Sequence, residues 1–261
     1  MSYLQLLGLF FRLSLLNELQ YRTNFWLQLI QSLLGLGLAL GGLAVIFEHT
    51  AALGGWQPAE LVALVGVYTL VSGLIASIIQ PGLQQFMEDV RLGTFDFILI
   101  KPIDSQFLLT VRYIQIWELT DVALGLSVLL VALHDLAVTI TFWHVVAFIV
   151  TLLAGGIIVY SFWLILATFS FWFVRLEDLL AIFQSMYQAG RWPISIYPLW
   201  LRAVLTFVVP IAFAITVPTE ALIGRLTGST FLSTVALAAG LFMASRWFWK
   251  LGVMNYTGAS A

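Results

Sequence analysis

Apolar residues in this chain come in long unbroken runs, and the polar ones gather in the short gaps between them. The runs Asn24–Phe47, Glu60–Ile79, Phe107–Leu133, Phe142–Phe173 and Phe231–Trp249 each reach about 20 residues or more, the length that carries an α-helix across a bilayer. Hydrocarbon leaves every backbone amide to be satisfied within its own segment, so such runs must be helices, and the alternating pattern of a barrel strand is absent. The predicted fold class is therefore all-α, a polytopic membrane protein built as a single transmembrane domain over residues 1–261.

Punctuation refines this. The second run is expected to stop at Gln80-Pro81-Gly82, where proline cannot continue the hydrogen-bond ladder and glycine permits a turn. Ahead of the first run, residues 1–23 place Leu6, Leu9, Phe10, Leu13, Leu16 and Leu19 at helical spacing. Gln5, Gly8 and Arg12 fall on another face, which predicts an amphipathic helix lying in the membrane interface. After the fourth run the pattern breaks up. Leu179–Gly190 is too short for an ordinary crossing, Arg191-Trp192-Pro193 and Tyr197–Arg202 follow, and Ala203–Val217 is interrupted by Pro210 and closed by Pro218. Broken apolar pieces are tolerated at membrane depth only where protein or a water-filled cavity surrounds them.

Charge orients the helices. The loops Glu48–Ala59 and His134–Thr141 hold no Lys or Arg, whereas Arg12, Arg22, Arg91, Lys101, Arg175, Arg246 and Lys250 all fall on the other side. Basic residues are retained on the cytoplasmic face, so both termini are expected there. Arg191, Arg202 and Arg225 are left unsorted by this rule.

Composition then removes function classes. The chain is 61% hydrophobic and 9% charged, with a net charge of −2 and no Cys. No disulfide framework or cysteine metal centre is available, and no basic patch offers itself to nucleic acid. His144 has no second His or carboxylate at ligand spacing on its helix, so no metal site is expected. The hydrolase motifs His-Glu-x-x-His and Gly-x-Ser-x-Gly are missing, and no catalytic residue is expected. The two lysines, Lys101 and Lys250, follow Ile100 and Trp249 and so cannot belong to a phosphate-binding Gly-Lys-Ser/Thr loop.

Two places carry chemistry. The window Gln84–Gln106 crowds Glu88, Asp89, Arg91, Asp96, Lys101 and Asp104 between the second and third runs. It belongs in water, on the cytoplasmic side, and reads as a docking surface. A short helix over about Gln84–Leu92, ended by Gly93, would turn Glu88, Asp89 and Arg91 toward a partner with Phe86 or Met87 as apolar anchor. Phe95, Phe97 and Ile98 would pack underneath, beside Asp96. The second place is Arg112, Glu118 and Asp121 on the third run, where counting 1.5 Å per residue puts both acids well inside the hydrocarbon on neighbouring turns of one face. Intramembrane acids are functional candidates. Pairing with Arg112, Arg175 or a partner subunit, or facing a wetted vestibule, is one reading; a proton relay in an ion-coupled secondary transporter is the other. A secondary transporter built from repeats would show broken helices in both halves, and only the C-terminal half has them.

The stretch Val90-Arg91-Leu92-Gly93-Thr94-Phe95-Asp96-Phe97-Ile98-Leu99-Ile100-Lys101-Pro102 resembles the cytoplasmic loop of permease subunits in the type-2 superfamily of ATP-binding-cassette (ABC-2) exporters. Glu18–Phe25 is similar to the lead-in to their first helix, and Tyr197–Arg202 followed by Pro210 to the segment before their last. The likeness spans essentially the whole chain. It implies six transmembrane helices, an N-terminal connecting helix over 1–23, a coupling helix within 84–105 resting on a nucleotide-binding subunit, and a short fifth helix at about Glu177–Ala189. It also implies a re-entrant segment over 192–228 at the outer face, which would put Arg191, Arg202 and Arg225 outside against the charge rule. The charge-based alternative keeps Arg175–Arg202 cytoplasmic and makes Ala203–Val217 a crossing. In function, the resemblance implies the permease subunit of an ATP-driven exporter of a hydrophobic or amphipathic substrate in a bacterial inner membrane, surrounded by lipid. Its partners would be ATPase subunits, which carry ATP and Mg where this chain has no cofactor, and a second permease subunit, identical or paralogous.

Overall fold

The computed structural model describes residues 3–19, 22–136, 140–173 and 177–256. Helix α1 (Tyr3–Leu19) precedes α2 (Arg22–His49), and α3 (Pro58–Leu74) passes through one π-helical stretch, Ile75–Ile79, into α4 (Gln80–Arg91). Two short helices, α5 (Asp96–Leu99) and α6 (Ser105–Arg112), lead back to α7 (Leu119–Asp135) and α8 (Phe142–Thr168). Then come α9 (Glu177–Tyr187), α10 (Leu199–Ala203), α11 (Ile211–Ala214), α12 (Thr216–Leu222) and the long α13 (Gly228–Asn255). The described residues contain five helical segments long and apolar enough to cross a membrane: Thr23–His49, Pro58–Arg91, Ile116–Asp135, Phe142–Phe171 and Gly228–Asn255. Four of them correspond to apolar runs of the sequence, and Ile116–Asp135 holds only the later part of the third run. A sixth candidate, Leu199–Phe207 with Ile211–Leu222, bends by 66° at its break.

The centre of the bundle is the pair α3 and α7. A Cβ added to Gly125 would stand 2.3 Å from the backbone nitrogen of Leu70, and one added to Gly66 would stand 2.9 Å from that of Leu129. Only glycine lets two backbones come this close, and small residues serve that purpose between membrane helices. Leu61, Leu64 and Val67 of α3 are fully enclosed, as are Ile158 and Leu164 of α8. Helix α2 differs: Leu27, Ile30, Leu34 and Leu38 are all exposed, an apolar flank suited to lipid. In α1 the expected apolar face divides. Leu6 is buried and Phe10 packs against the core, while Leu9, Leu13 and Leu16 point away from the protein.

Two sequence-based expectations are corrected. The second helix does not stop at Gln80-Pro81-Gly82 but continues to Arg91. Proline tolerates a helix where its missing N–H is otherwise handled, and two features handle it. The chain widens to π geometry just before Pro81, and the carbonyl of Ser77, four residues upstream, accepts the backbone N–H of Gln115 at 2.9 Å. Gly82 then lets α4 press on α6, since a Cβ there would lie 2.3 Å from the carbonyl oxygen of Leu109.

The third crossing is not one helix from Phe107 to Leu133. Helix α6 ends at Arg112, Tyr113 and Gln115 are extended, and a 3₁₀ turn at Ile116–Glu118 leads into α7. Glu118 and Asp121 therefore stand at the very start of the crossing, not deep within it. The count failed because residues 107–115 are spent in a separate element.

The broken segment is tied to one turn. Ser195 donates its hydroxyl to the carbonyl of Gly54 at 3.1 Å, and Arg225 donates to that of Gly55 at 3.0 Å. The chain on either side of α10–α12 thus meets the same turn, Leu53–Trp56. The segment begins and ends beside one turn of the bundle, an arrangement that suits a re-entrant path better than a full crossing over Ala203–Val217.

Candidate functional site

At the end of the bundle opposite that turn, the charged window folds into a braced unit. Leu92 caps α4, and Gly93 follows with φ +70°. The N–H of Thr94 reaches the Asp89 carbonyl at 2.8 Å and that of Gly93 reaches Val90 at 3.2 Å, the paired bonds of a Schellman closure. Gly93 thus ends the helix as the sequence predicted.

The expected anchor does not stand. Phe86 is 1% and Met87 6% exposed, both turned into this chain's own core. The Phe86 ring meets Phe95, Phe171 and Trp249 at centroid distances of 5.1, 5.2 and 4.8 Å. Asp89 is buried as well, its carboxylate accepting from the Gln85 amide at 3.1 Å and the Thr94 hydroxyl at 3.1 Å. An apolar residue inside a charged helix is drawn to whichever apolar surface is nearest, and here that is the aromatic cluster of the same chain. Glu88 and Arg91 remain at the surface, paired with each other at 2.6 Å, and Asp96 opens α5 half-buried. Phe95 and Ile98 do pack underneath, at 0% and 2% exposure, but Phe97 does not. Together with Leu92 and Ile100 it forms an exposed apolar edge, at 66%, 61% and 78%, flanked by Arg91 and Lys101.

A polar clamp fixes this unit to the last helix. Asp104 caps α6 by accepting the N–H of Phe107 at 3.0 Å, and it receives both Nη1 (2.9 Å) and Nη2 of Arg246 in the two-pronged geometry that suits a carboxylate. Arg246 also donates to Gln106 at 2.7 Å. The Gln106 amide and the Thr110 hydroxyl both meet the Tyr160 hydroxyl, at 3.1 and 2.9 Å, and Trp249 donates to Ser105 at 3.3 Å. The Arg246 guanidinium holds the Asp104 carboxyl below its ordinary range against the opposing effect of burial. In the sequence Arg246 had signalled only orientation.

The intramembrane set is dispersed. Arg112 ends α6 with its guanidinium over the Tyr113 ring at 5.0 Å and pairs with neither acid; Arg175 lies outside the described residues. Glu118 accepts from the Gln28 amide at 2.8 Å. The Asp121 carboxylate faces a hollow of about 200 Å³ shared with Ser32, Tyr68, Ser72 and Arg191, which favours the wetted-vestibule reading.

Glu18 was singled out only as part of the lead-in motif. Its carboxylate accepts the N–H groups of Ile116 and Trp117 at 2.7 and 3.0 Å, capping the start of the third crossing from the end of α1. Burial pushes the Glu18 carboxyl up, while those two N–H bonds pull it down. Burial penalises the charge that those bonds favour, so a neutral amide oxygen gives up little as acceptor for the two N–H groups. Glu18→Gln, which keeps an acceptor oxygen, is accordingly expected to melt near the wild type. Glu18→Ala strands two amide donors and is expected to lose about 1–3 kcal/mol, read as a lower melting temperature in detergent.

Comparison with known proteins meets this geometry. A family model described as ABC-2 family transporter protein matches residues 16–260. The chain belongs to that family. No curated protein and no solved structure matches it. Membership, with five apolar helices of spanning length, makes this ABC-2 family member an integral membrane transport component, and it disfavours the ion-coupled reading of Glu118 and Asp121.

Proposed function

We propose that the chain is the membrane-spanning permease subunit of an ATP-driven exporter of a hydrophobic or amphipathic substrate. It works with separate ATPase subunits and a second permease subunit, identical or paralogous, in a bacterial inner membrane. The exposed edge of Leu92, Phe97 and Ile100 carries this reading. Three large apolar side chains standing in water on a unit clamped to α8 and α13 suit a partner surface better than a free loop. The unit acts as the coupling helix, so that displacement of the ATPases tilts α4–α6 and, through Asp104 and Arg246, the last helix. ATP and Mg reside on the partner.

The N-terminal helix connects along the inner interface, residues 177–189 make a short fifth crossing ahead of the last helix, and 192–228 form the outer re-entrant segment. Two experiments test the scheme. The tagged protein, purified in mild detergent from its own cells, is expected to bring an ATP-binding-cassette ATPase in comparable amount, and its consistent absence would sink the proposal. Single tags at Leu53, Asp135 and Ile196 should be labelled only from outside, and one at Gly93 only from the cytoplasm. Labelling of Gly93 from outside would invert the map.

A further inference from the structure

We propose that a polar track along α2 receives the uncharged, hydroxyl-rich headgroup of an amphiphile, a glycosyl group being the simplest, while its hydrocarbon tail stays in the lipid. The inference deepens the permease reading and rests on it only in calling the guest a substrate.

Three hollows compose the track. The first, about 480 Å³, opens at the inner face beside Pro81, Gln84 and Glu88. The second, about 460 Å³, runs between Asn24, Gln28 and Glu118 and shares Asn17, Glu18 and Gln115 with the first. The third, about 200 Å³, shares Gln28 and Gln31 with the second and ends at Asp121, Tyr68 and Arg191. Amide side chains therefore line a continuous strip from the coupling unit into the membrane-spanning region. Polar groups at that depth are costly unless they are wet or bound.

The far end identifies the guest. The Ser32 and Ser72 hydroxyls, Asp121 Oδ1 and Arg191 Nε are shielded from solvent. Ser32 lies beside Asp121 and Ser72 beside the Tyr187 hydroxyl without a well-formed hydrogen bond, and Arg191 Nε has no partner within the described protein. All four residues line the 200 Å³ hollow. Native interiors leave few such atoms, so four around one small hollow call for a ligand that both donates and accepts. An anionic headgroup would have to pass Glu18 and Glu118 and then face Asp121. A cation would end against the Arg191 guanidinium, held over the Tyr68 ring at 5.2 Å. Hydroxyl groups meet every requirement at once, donating to Asp121, accepting from Arg191 and doing either with the serines. Beside the strip, the exposed Leu27, Ile30, Leu34 and Leu38 of α2 offer an apolar path for the tail.

The chain has no cysteine, which makes single-cysteine reporters unambiguous. In vesicles holding the whole transporter, Gln31→Cys and Ser32→Cys are expected to react with a hydrophilic maleimide supplied at the inner face about tenfold faster than Leu34→Cys or Leu38→Cys. Dodecyl glucoside should slow that reaction, whereas dodecyltrimethylammonium and dodecyl sulfate should not. Arg191→Gln should raise the glucoside concentration for half-protection by about tenfold, the loss of one good hydrogen bond to a charged donor. Ser72→Ala, which removes a hydroxyl with little change in volume, should raise it by a smaller factor and guards against a folding defect in the arginine variant. Absence of labelling overturns the track, and equal protection by the cationic or anionic amphiphile overturns the headgroup class. Labelling needs no ATPase. A protein that is labelled and protected but brings no ATPase keeps the track and loses the permease reading; one that brings the ATPase without labelling does the reverse.

Discussion

Phe97→Glu combined with Ile100→Glu is expected to leave the protein inserted at near wild-type abundance and to strip it of its ATPase. Both side chains are already exposed, at 66% and 78%, so a carboxylate at either position displaces no packing and the fold has no reason to fail. The partner surface would feel the change. Large apolar residues at the centre of an interface commonly cost about 2–4 kcal/mol each when lost, and a carboxylate buried against an apolar pocket adds its desolvation. ATPase recovery should therefore fall by well over a hundredfold, at roughly 1.4 kcal/mol per factor of ten, and transport with it. Reversing Glu88 and Arg91 should do far less. Their ion pair is exposed on both sides, such pairs contribute about 0.3–0.5 kcal/mol, and the swapped residues can pair again. Full ATPase binding by the double glutamate variant, or its loss on charge reversal alone, would place the contact elsewhere.

Arg246→Gln is expected to separate ATP hydrolysis from transport. The apolar edge is untouched, so the ATPase still binds, but the clamp from α6 to α13 loses both prongs on Asp104. About a third of each side chain is exposed, which screens the pair, so the stability loss should be about 1–2 kcal/mol and well short of the cost of breaking a fully buried pair. Its pH dependence has a definite sign. The Asp104 carboxyl is lowered from 3.8 by Arg246, so its contribution is complete above 3.8 and vanishes as pH falls through the lower, folded value. Melting curves of wild type and variant should run apart from neutral pH down to about 4 and converge below it. A gap that persists at lower pH would show that packing around Arg246, not the ion pair, carries the effect. ATPase activity that stays coupled to transport would remove Arg246 from the transmission path.

Much of this was legible in the chain. Long apolar runs betray crossings because lipid admits few structures, and Gly93 marked the end of α4 because one residue type tolerates positive φ there. What stayed hidden depends on distant partners. Pro81 reads as a stop until Gln115, 34 positions later, is seen to serve the carbonyl of Ser77. Glu118 and Asp121 read as deep because nothing local announces a break at Tyr113. Phe86 and Phe97 are alike in sequence, and only the aromatic cluster with Phe171 and Trp249 decides which one is enclosed. Arg225, ambiguous by the charge rule, is accounted for by Glu60 at 2.7 Å and the Trp56 ring at 5.6 Å, where it is paired and needs no anionic membrane surface.

The bond from Gln115 to Ser77 joins two interruptions, the π stretch before Pro81 and the extended link after Arg112, at a single level of the bundle. An unbroken helix transmits a push along its axis and resists being swivelled, because each backbone bond would have to yield. Two helices interrupted at the same height and pinned there by one bond behave as a wrist. The inner segments can be re-angled together, with the pin as pivot and the glycine contact of Gly82 on Leu109 as bearing surface, while α3 and α7 keep every one of their own turns.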